Sequence, residues 1–330
     1  MSAPLLEVRG LCVDYAHSRF LRSQRQAVHA LRGVDVELGD GRSLGIVGES
    51  GCGKSTLARA VLGLVAPTAG ELRWRGWAID TSDRPRMLQM RREVQVVFQD
   101  PFGSLDPRMT AGASIAEALD ALEGVTDAST VRSRVAGALK SVGLDDGLAS
   151  RYPHELSGGQ CQRVAIARAT VVRPRLLICD EAVSALDVSV QAQIVNLLAD
   201  FSRHQGIGLL FISHNLAVVR HLCDDVAVLY LGRVVERAPR EALFASPRHP
   251  YTRALLAAVP APDPGVASRP GIVALAEEGS GAAPSTQGCA FAPRCPHAIE
   301  TCRRQRPELQ PADGSAVVAC HRWRELGTVA

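Results

Sequence analysis

The sequence predicts an α/β protein in which a mostly parallel, helix-covered sheet carries a phosphate-binding loop. It adds short strands ahead of the loop, an inserted helical unit, and a small Cys-rich C-terminal extension. Three observations point there. Gly48-Glu49-Ser50-Gly51-Cys52-Gly53-Lys54-Ser55-Thr56 satisfies G-x-x-x-x-G-K-[ST] at every constrained position. Leu44, Ile46 and Val47 read as the end of a buried strand before it, and Ser55 to Leu64 continue with helix formers at helical spacing. Strand-like runs at Leu176–Cys179, Gly208–Ser213 and Val226–Leu231 are separated by helical stretches such as Val190–Arg203, the alternation of a parallel sheet covered by helices.

The loop implies a bound nucleoside triphosphate. Its glycines let the backbone curl until successive N–H groups and a helix N-terminus face phosphate oxygens, and Lys54 adds a point charge for the β- and γ-phosphates. Lys54 and Lys140 are the only two lysines in an arginine-rich chain, so a compact ammonium here is not background composition.

Along the chain, the apolar runs Leu5–Leu11 and Val28–Leu38 read as short strands around a basic, polar insert from His17 to Gln26, and Gly70–Ile79 as a hairpin segment. Ile115, Leu119 and Leu122, then Val131, Val135, Leu139 and Val142, recur at three- and four-residue intervals and predict helices. Residues beyond Val259 are rich in Pro, Ala, Gly and Ser, the composition of a linker. The expected organisation is a nucleotide-binding domain over 1–258 with its helical subdomain at about 100–160, a linker over 259–288 and a cysteine-bearing tail over 289–330.

A net charge of +3 and 4% aromatic residues argue against nucleic acid as a partner. No signal-peptide pattern opens the chain and no window approaches eighteen uninterrupted apolar residues, so a cytoplasmic setting without a membrane span is expected. In that setting disulfides are not expected; of the nine cysteines five are scattered, and metal ligation is expected for the terminal group Cys289, Cys295, Cys302 and Cys320.

Leu176-Leu177-Ile178-Cys179-Asp180-Glu181 is an apolar strand ending in two carboxylates, suited to the carboxyl edge of a sheet beside phosphates. Asp180 is the candidate Mg²⁺ ligand through its water shell, together with the Ser55 hydroxyl. Glu181 is the candidate general base toward the attacking water. Leu156-Ser157-Gly158-Gly159-Gln160 opens a helical run and offers further N–H and O–H donors to an anion.

At that pentapeptide the chain resembles the ATP-binding-cassette (ABC) ATPases, whose signature it is. The resemblance implies a P-loop NTPase with an ABC-type nucleotide-binding domain: a RecA-like core, an antiparallel β subdomain and an inserted α-helical subdomain. With one phosphate loop per chain, Ser157, Gly158, Gly159 and Gln160 would face the ATP of a second subunit. Gln99 matches the glutamine that approaches Mg²⁺ or the attacking water, Ser184-Ala185-Leu186-Asp187 the loop that crosses the dimer interface, and His214 the histidine that hydrogen-bonds the γ-phosphate. Tyr15, with Phe20 as the rival, is the candidate for stacking on adenine.

Longer stretches, Val97–Thr110, Ser184–Leu197, Phe211–Val235 and Pro247–Thr252, resemble the dipeptide/oligopeptide (and nickel) importer ATPases, and Gly48–Thr56 with Cys52 and the basic insert most resembles their F-type subunit. This implies ATP hydrolysis coupled to peptide import at the cytoplasmic face of the inner membrane. The implied partners are a D-type ATPase subunit in a head-to-tail dimer, two transmembrane permeases and an extracytoplasmic peptide-binding protein. Nickel, glutathione or another small cargo stays open, because the ATPase does not contact the cargo. DNA- or ribosome-associated ABC ATPases are the alternative of another class, but Thr56–Leu156 is too short for an inserted coiled coil and the chain holds one cassette. Cys161 stands where the family usually carries arginine. For the terminal cysteines, relatives in this branch imply a [4Fe-4S] cluster, with Arg294, Arg303 and Arg304 offsetting its charge; zinc, with His297 or His321 as substitutes, and no metal remain alternatives.

Overall fold

The computed structural model describes residues 4–16, 27–258 and 287–327. Phe20, the basic insert and most of the expected linker lie outside the described residues. Two sheets organise the chain. In the first, β1 (Leu6–Ala16) pairs antiparallel with β2 (Ala27–Leu38) on one side and with β4 (Ala69–Trp74) on the other, and β5 (Trp77–Ala78) closes the edge. Leu6, Val8, Leu11 and Val13 of β1 are all buried. The break in their alternation falls where the β1–β2 register shifts between Val8 and Leu11, so a bulge keeps the later residues facing the core.

The second sheet is mixed. Five strands, β9 (Asp225–Tyr230), β3 (Ser43–Val47), β8 (Gly208–Ile212), β7 (Leu176–Asp180) and β6 (Val94–Val97), run parallel in that order. Beyond β9 the sheet turns antiparallel through β10 (Arg233–Pro239), β12 (Val317–Val318) and β11 (Gln310–Pro311). The parallel strands are continuous apolar runs because both faces are covered. Leu176, Ile178, Leu210 and Ile212 enter one core with the first sheet, whereas Leu177, Cys179, Leu209 and Phe211 enter the other with the helical elements.

Helix α1 (Lys54–Val61) leaves the phosphate loop, and α2 (Arg84–Glu93) precedes β6. The inserted unit holds α3 (Ala111–Glu123) and α4 (Ala128–Ser141), N-capped by the Thr110 hydroxyl and the Asp127 carboxylate. Ile115, Leu119, Leu139 and Val142 are fully buried, as their spacing predicts. Helix α5 (Gly158–Thr170) returns the chain to the sheet, followed by α6 (Val188–Gln205) and α7 (Leu216–Leu222). α8 (Arg240–Ala245) and α9 (Pro250–Ala257) follow β10, and the short α10 (Glu300–Arg304) lies in the tail. Among the described residues no helix is long and apolar enough to cross a membrane.

Candidate nucleotide-binding and hydrolysis site

Parallel pairing gathers the candidate residues. Ile46 lies beside Ile212, Ile212 beside Asp180, and Cys179 beside Val97, so the segments that follow these strands leave the sheet at one edge. Those segments carry Gly48 to Gly53, Glu181, His214 and Gln99. This is the carboxyl edge where α/β sheets bind ligands.

Within the loop, Gly53 has φ 108°, and a Cβ there would lie 2.5 Å from the Ala30 carbonyl oxygen, so only glycine lets the loop pass under β2 into α1. Lys54 is buried, and its Nζ donates to the carbonyls of Gly48 at 2.8 Å and Glu49 at 2.9 Å. Cys52 is also buried, which pushes its thiol up despite the nearby ammonium. Ser50 and Gly51 form the turn at the loop's outer edge, and Ser55 and Thr56 are half-buried in the first turn of α1.

Ser55 Oγ donates to Asp180 Oδ1 at 3.0 Å. Burial raises the Asp180 pKa more than this bond lowers it, the balance expected of a carboxylate whose charge awaits a cation. The donor set, a hydroxyl and a mostly buried carboxylate side by side, fits Mg²⁺. Glu181 adopts φ 51°, an uncommon conformation for a residue with a Cβ, while its N–H donates to Ile212 O at 2.9 Å. Its Oε2 lies 3.5 Å from His214 Nδ1. His214 sits between the end of β8 and Asn215, whose Oδ1 caps α7 through the N–H groups of Ala217 and Val218.

Gln99 is exposed in the bend after β6. Ser157 caps α5 in a reciprocal capping box: its Oγ accepts from Gln160 N at 3.3 Å, and Gln160 Oε1 accepts from Ser157 N at 2.9 Å. Ser157 is exposed, with Gly158, Gly159 and Gln160 half-buried behind it and Leu186 of the exposed 184–187 turn close by. Cys161 is fully buried, and its thiol donates to Pro153 O at 3.4 Å, so it packs beneath the turn where an arginine would be costly. Tyr15 is 36% exposed on β1 and pairs with Val28 of β2, two residues from the Ala30 carbonyl that meets Gly53. Tyr15 thus lies on the strand next to the one that meets the loop.

One set of partners is not legible in the spacing. The Glu49 carboxylate is gripped by both terminal nitrogens of Arg294, at 2.8 and 2.9 Å, and the Glu49 N–H donates to the Tyr251 hydroxyl at 2.9 Å. These partners lie 245 and 202 positions away in sequence. The only sequence signals were the Pro247–Thr252 stretch and the cluster of tail arginines.

The cluster expected in the tail finds no support among the described residues. Cys289, Cys295, Cys302 and Cys320 line a common cavity with His297 and His321. Yet among the described residues no group of three or more His, Cys, Asp or Glu is arranged to hold a metal ion. Burial pushes the thiols of Cys289, Cys295 and Cys320 up. Four cysteines at one cavity match the donor count of a [4Fe-4S] cluster, but no group among the described residues supports a metal site.

Strand, phosphate loop, acidic strand end and capped Ser-Gly-Gly turn together define an ATP-binding cassette, and a family model described as ABC transporter matches residues 31–184. A second model, the oligopeptide/dipeptide transporter C-terminal region, matches residues 235–302. The chain belongs to the family of oligopeptide/dipeptide ABC transporter ATP-binding proteins. It is 47% identical over 309 residues to the oligopeptide transport ATP-binding protein OppF of Escherichia coli (strain K12), spanning 93% of this chain and 92% of that one. It is 46% identical over 319 residues to the di/tripeptide transport ATP-binding protein DppF of Pseudomonas aeruginosa (strain UCBPP-PA14), spanning 96% and 97%. Among solved structures it is similar to the dimeric post-hydrolysis ATP-binding cassette MJ0796 bound to ADP and Pi, with a TM-score of 0.63 and 27% identity over 71% of this chain and 98% of that one.

Proposed function

We propose that this chain is the ATP-hydrolysing subunit that powers uptake of di- and oligopeptides by an ABC importer. The observation that carries the reading is the convergence at one sheet edge of the Lys54 loop, the Ser55–Asp180 pair and the Glu181–His214 pair. The names of the OppF and DppF relatives support the peptide cargo.

In this reading Gly48 to Thr56 wrap the triphosphate, with Lys54 neutralising the β- and γ-phosphates, and Tyr15 stacks on adenine. Ser55, Asp180 and Gln99 would hold Mg²⁺, which would supply positive charge beside the phosphate oxygens as negative charge develops there. The Glu181 carboxylate accepts a proton from water as its oxygen attacks the γ-phosphorus and the bond to the β-phosphate oxygen breaks. His214 holds the γ-phosphate and the Glu181 carboxylate in register.

Ser157 to Gln160 serve the ATP of a second, D-type cassette in a head-to-tail dimer, and that cassette's signature serves this loop. The exposed Ser157 turn and the exposed 184–187 turn support such an interface. Closure of the dimer on ATP and reopening after hydrolysis would drive two transmembrane permeases at the inner-membrane face, fed by an extracytoplasmic peptide-binding protein. Exposed Phe98, Phe102 and Tyr152 suit permease docking on the helical subdomain at about 100–160. Residues 1–258 form the ATPase domain, 259–288 the linker and 289–330 the Cys-rich extension. The test is ATP binding by the purified chain, which Lys54→Ala should abolish; retained affinity in that variant would refute the site.

A further inference from the structure

Glu49 is the hub of the phosphate loop. Its carbonyl accepts from Lys54 Nζ at 2.9 Å and from Cys52 N at 3.3 Å. Its N–H donates to the Tyr251 hydroxyl at 2.9 Å. Its carboxylate takes a two-pronged grip from Arg294 at 2.8 and 2.9 Å. Every polar group of this one residue is therefore committed, two of them to the C-terminal region.

Both C-terminal partners are held firmly. The Arg294 guanidinium lies 5.9 Å from the ring centres of both Tyr230 and Phe291, a cation beside two aromatic rings that meet edge to face. Tyr251 is fully buried at the start of α9, against Tyr230 at 4.6 Å between ring centres. The entry to α9 is pinned in turn by buried Glu236 on β10, whose carboxylate accepts from Arg248 N at 2.8 Å and His249 N at 2.9 Å. The brace therefore runs without a gap from the sheet to the loop.

We propose that Arg294 and Tyr251 are positioning residues for ATP binding: through Glu49 they fix the Gly48–Glu49 backbone on which Lys54 rests, so the C-terminal region braces the phosphate loop. This rests on the reading of that loop as an ATP site. A loop that must present several N–H groups to one anion loses affinity if its backbone has to be ordered at the moment of binding. Clamping the Glu49 peptide unit on its N–H side and its side chain together removes that freedom in advance. A planar, bidentate fork suits this task, because it fixes direction as well as charge.

The full-length chain tests the brace by isothermal titration with Mg²⁺-ATP, steady-state hydrolysis and thermal unfolding. Arg294→Ala and Glu49→Gln should each weaken ATP affinity about tenfold, and the double variant no further, since both remove the same contact. In Arg294→Ala the KM for ATP should rise about tenfold while kcat falls less than about threefold, the split expected when binding rather than chemistry is lost. Arg294→Lys should recover part of the affinity. Arg294→Gln, which keeps a donor and much of the volume but loses the charged fork, covers the case in which alanine unfolds the chain. A folded Arg294→Gln or Arg294→Ala with wild-type affinity, or additive effects at 49 and 294, would overturn the brace. Failure of the wild type itself to bind ATP would instead refute the underlying reading of the loop.

Discussion

His214 Nδ1 lies 3.5 Å from Glu181 Oε2, and each residue directly follows or nearly follows a parallel strand of the same sheet. Glu181 reaches that position in the left-handed region, at φ 51°. A strained backbone at the end of a fully buried strand is a local cost, of about 1 kcal/mol or more, that rigid surroundings sustain.

That strain makes a stability prediction separable from activity. Glu181→Gly relieves the crowding of Cβ and removes the carboxylate. Its thermal midpoint should equal or exceed that of the wild type while hydrolysis is lost. A marked fall in the midpoint would show that Glu181 holds the fold rather than the water.

The signature turn allows a similar separation. Ser157→Ala loses the acceptor for Gln160 N and should cost about 1 kcal/mol of stability. Ser157→Asp restores a good cap, yet sets a negative charge where a second cassette's γ-phosphate would dock. Unfolding should report recovery in Ser157→Asp, and hydrolysis by the paired cassettes should stay lost. Recovery of both would leave Ser157 as a helix cap alone.

The α9 brace carries a pH dependence. His249 is fully enclosed, its Nδ1 accepting from Tyr251 N at 3.0 Å, and burial with Arg253 nearby holds its pKa down to about 3 from 6.5. Between those values the unfolded chain takes up a proton that the folded chain refuses. The contribution is therefore fully present above pH 6.5 and declines as pH falls toward about 3, by about 1.4 kcal/mol per unit. Urea unfolding at pH 7.5 and 5 should show a smaller loss in His249→Asn, which keeps an acceptor for Tyr251 N but does not titrate. Equal losses in both proteins would remove His249 from the account.

The parallel core was legible because strands buried on both faces are continuous apolar runs, and Leu176–Asp180 and Gly208–Ile212 fall where those runs do. The phosphate loop and the capped Ser157 turn were legible because their chemistry is local. Helix α2 was not, since only Met87 and Met90 are buried on an otherwise charged helix and no apolar period forms. Nor were the antiparallel strands that extend the sheet, where Val317 and Val318 pair with β10 across some eighty positions. The brace on Glu49 was hidden for the same reason: a contact between Arg294 and Glu49 leaves no periodicity in either segment. The resemblance implied a cluster at the terminal cysteines, and although the four share one cavity, no group among the described residues supports a metal site.

The most direct test of the central claim is single-turnover ATP hydrolysis by full-length Glu181→Gln, with and without its partner cassette, beside ATP binding by the same protein. The account predicts wild-type ATP affinity with hydrolysis reduced about 100-fold or more, the loss expected when a positioned general base is removed. Turnover near the wild-type rate would contradict it.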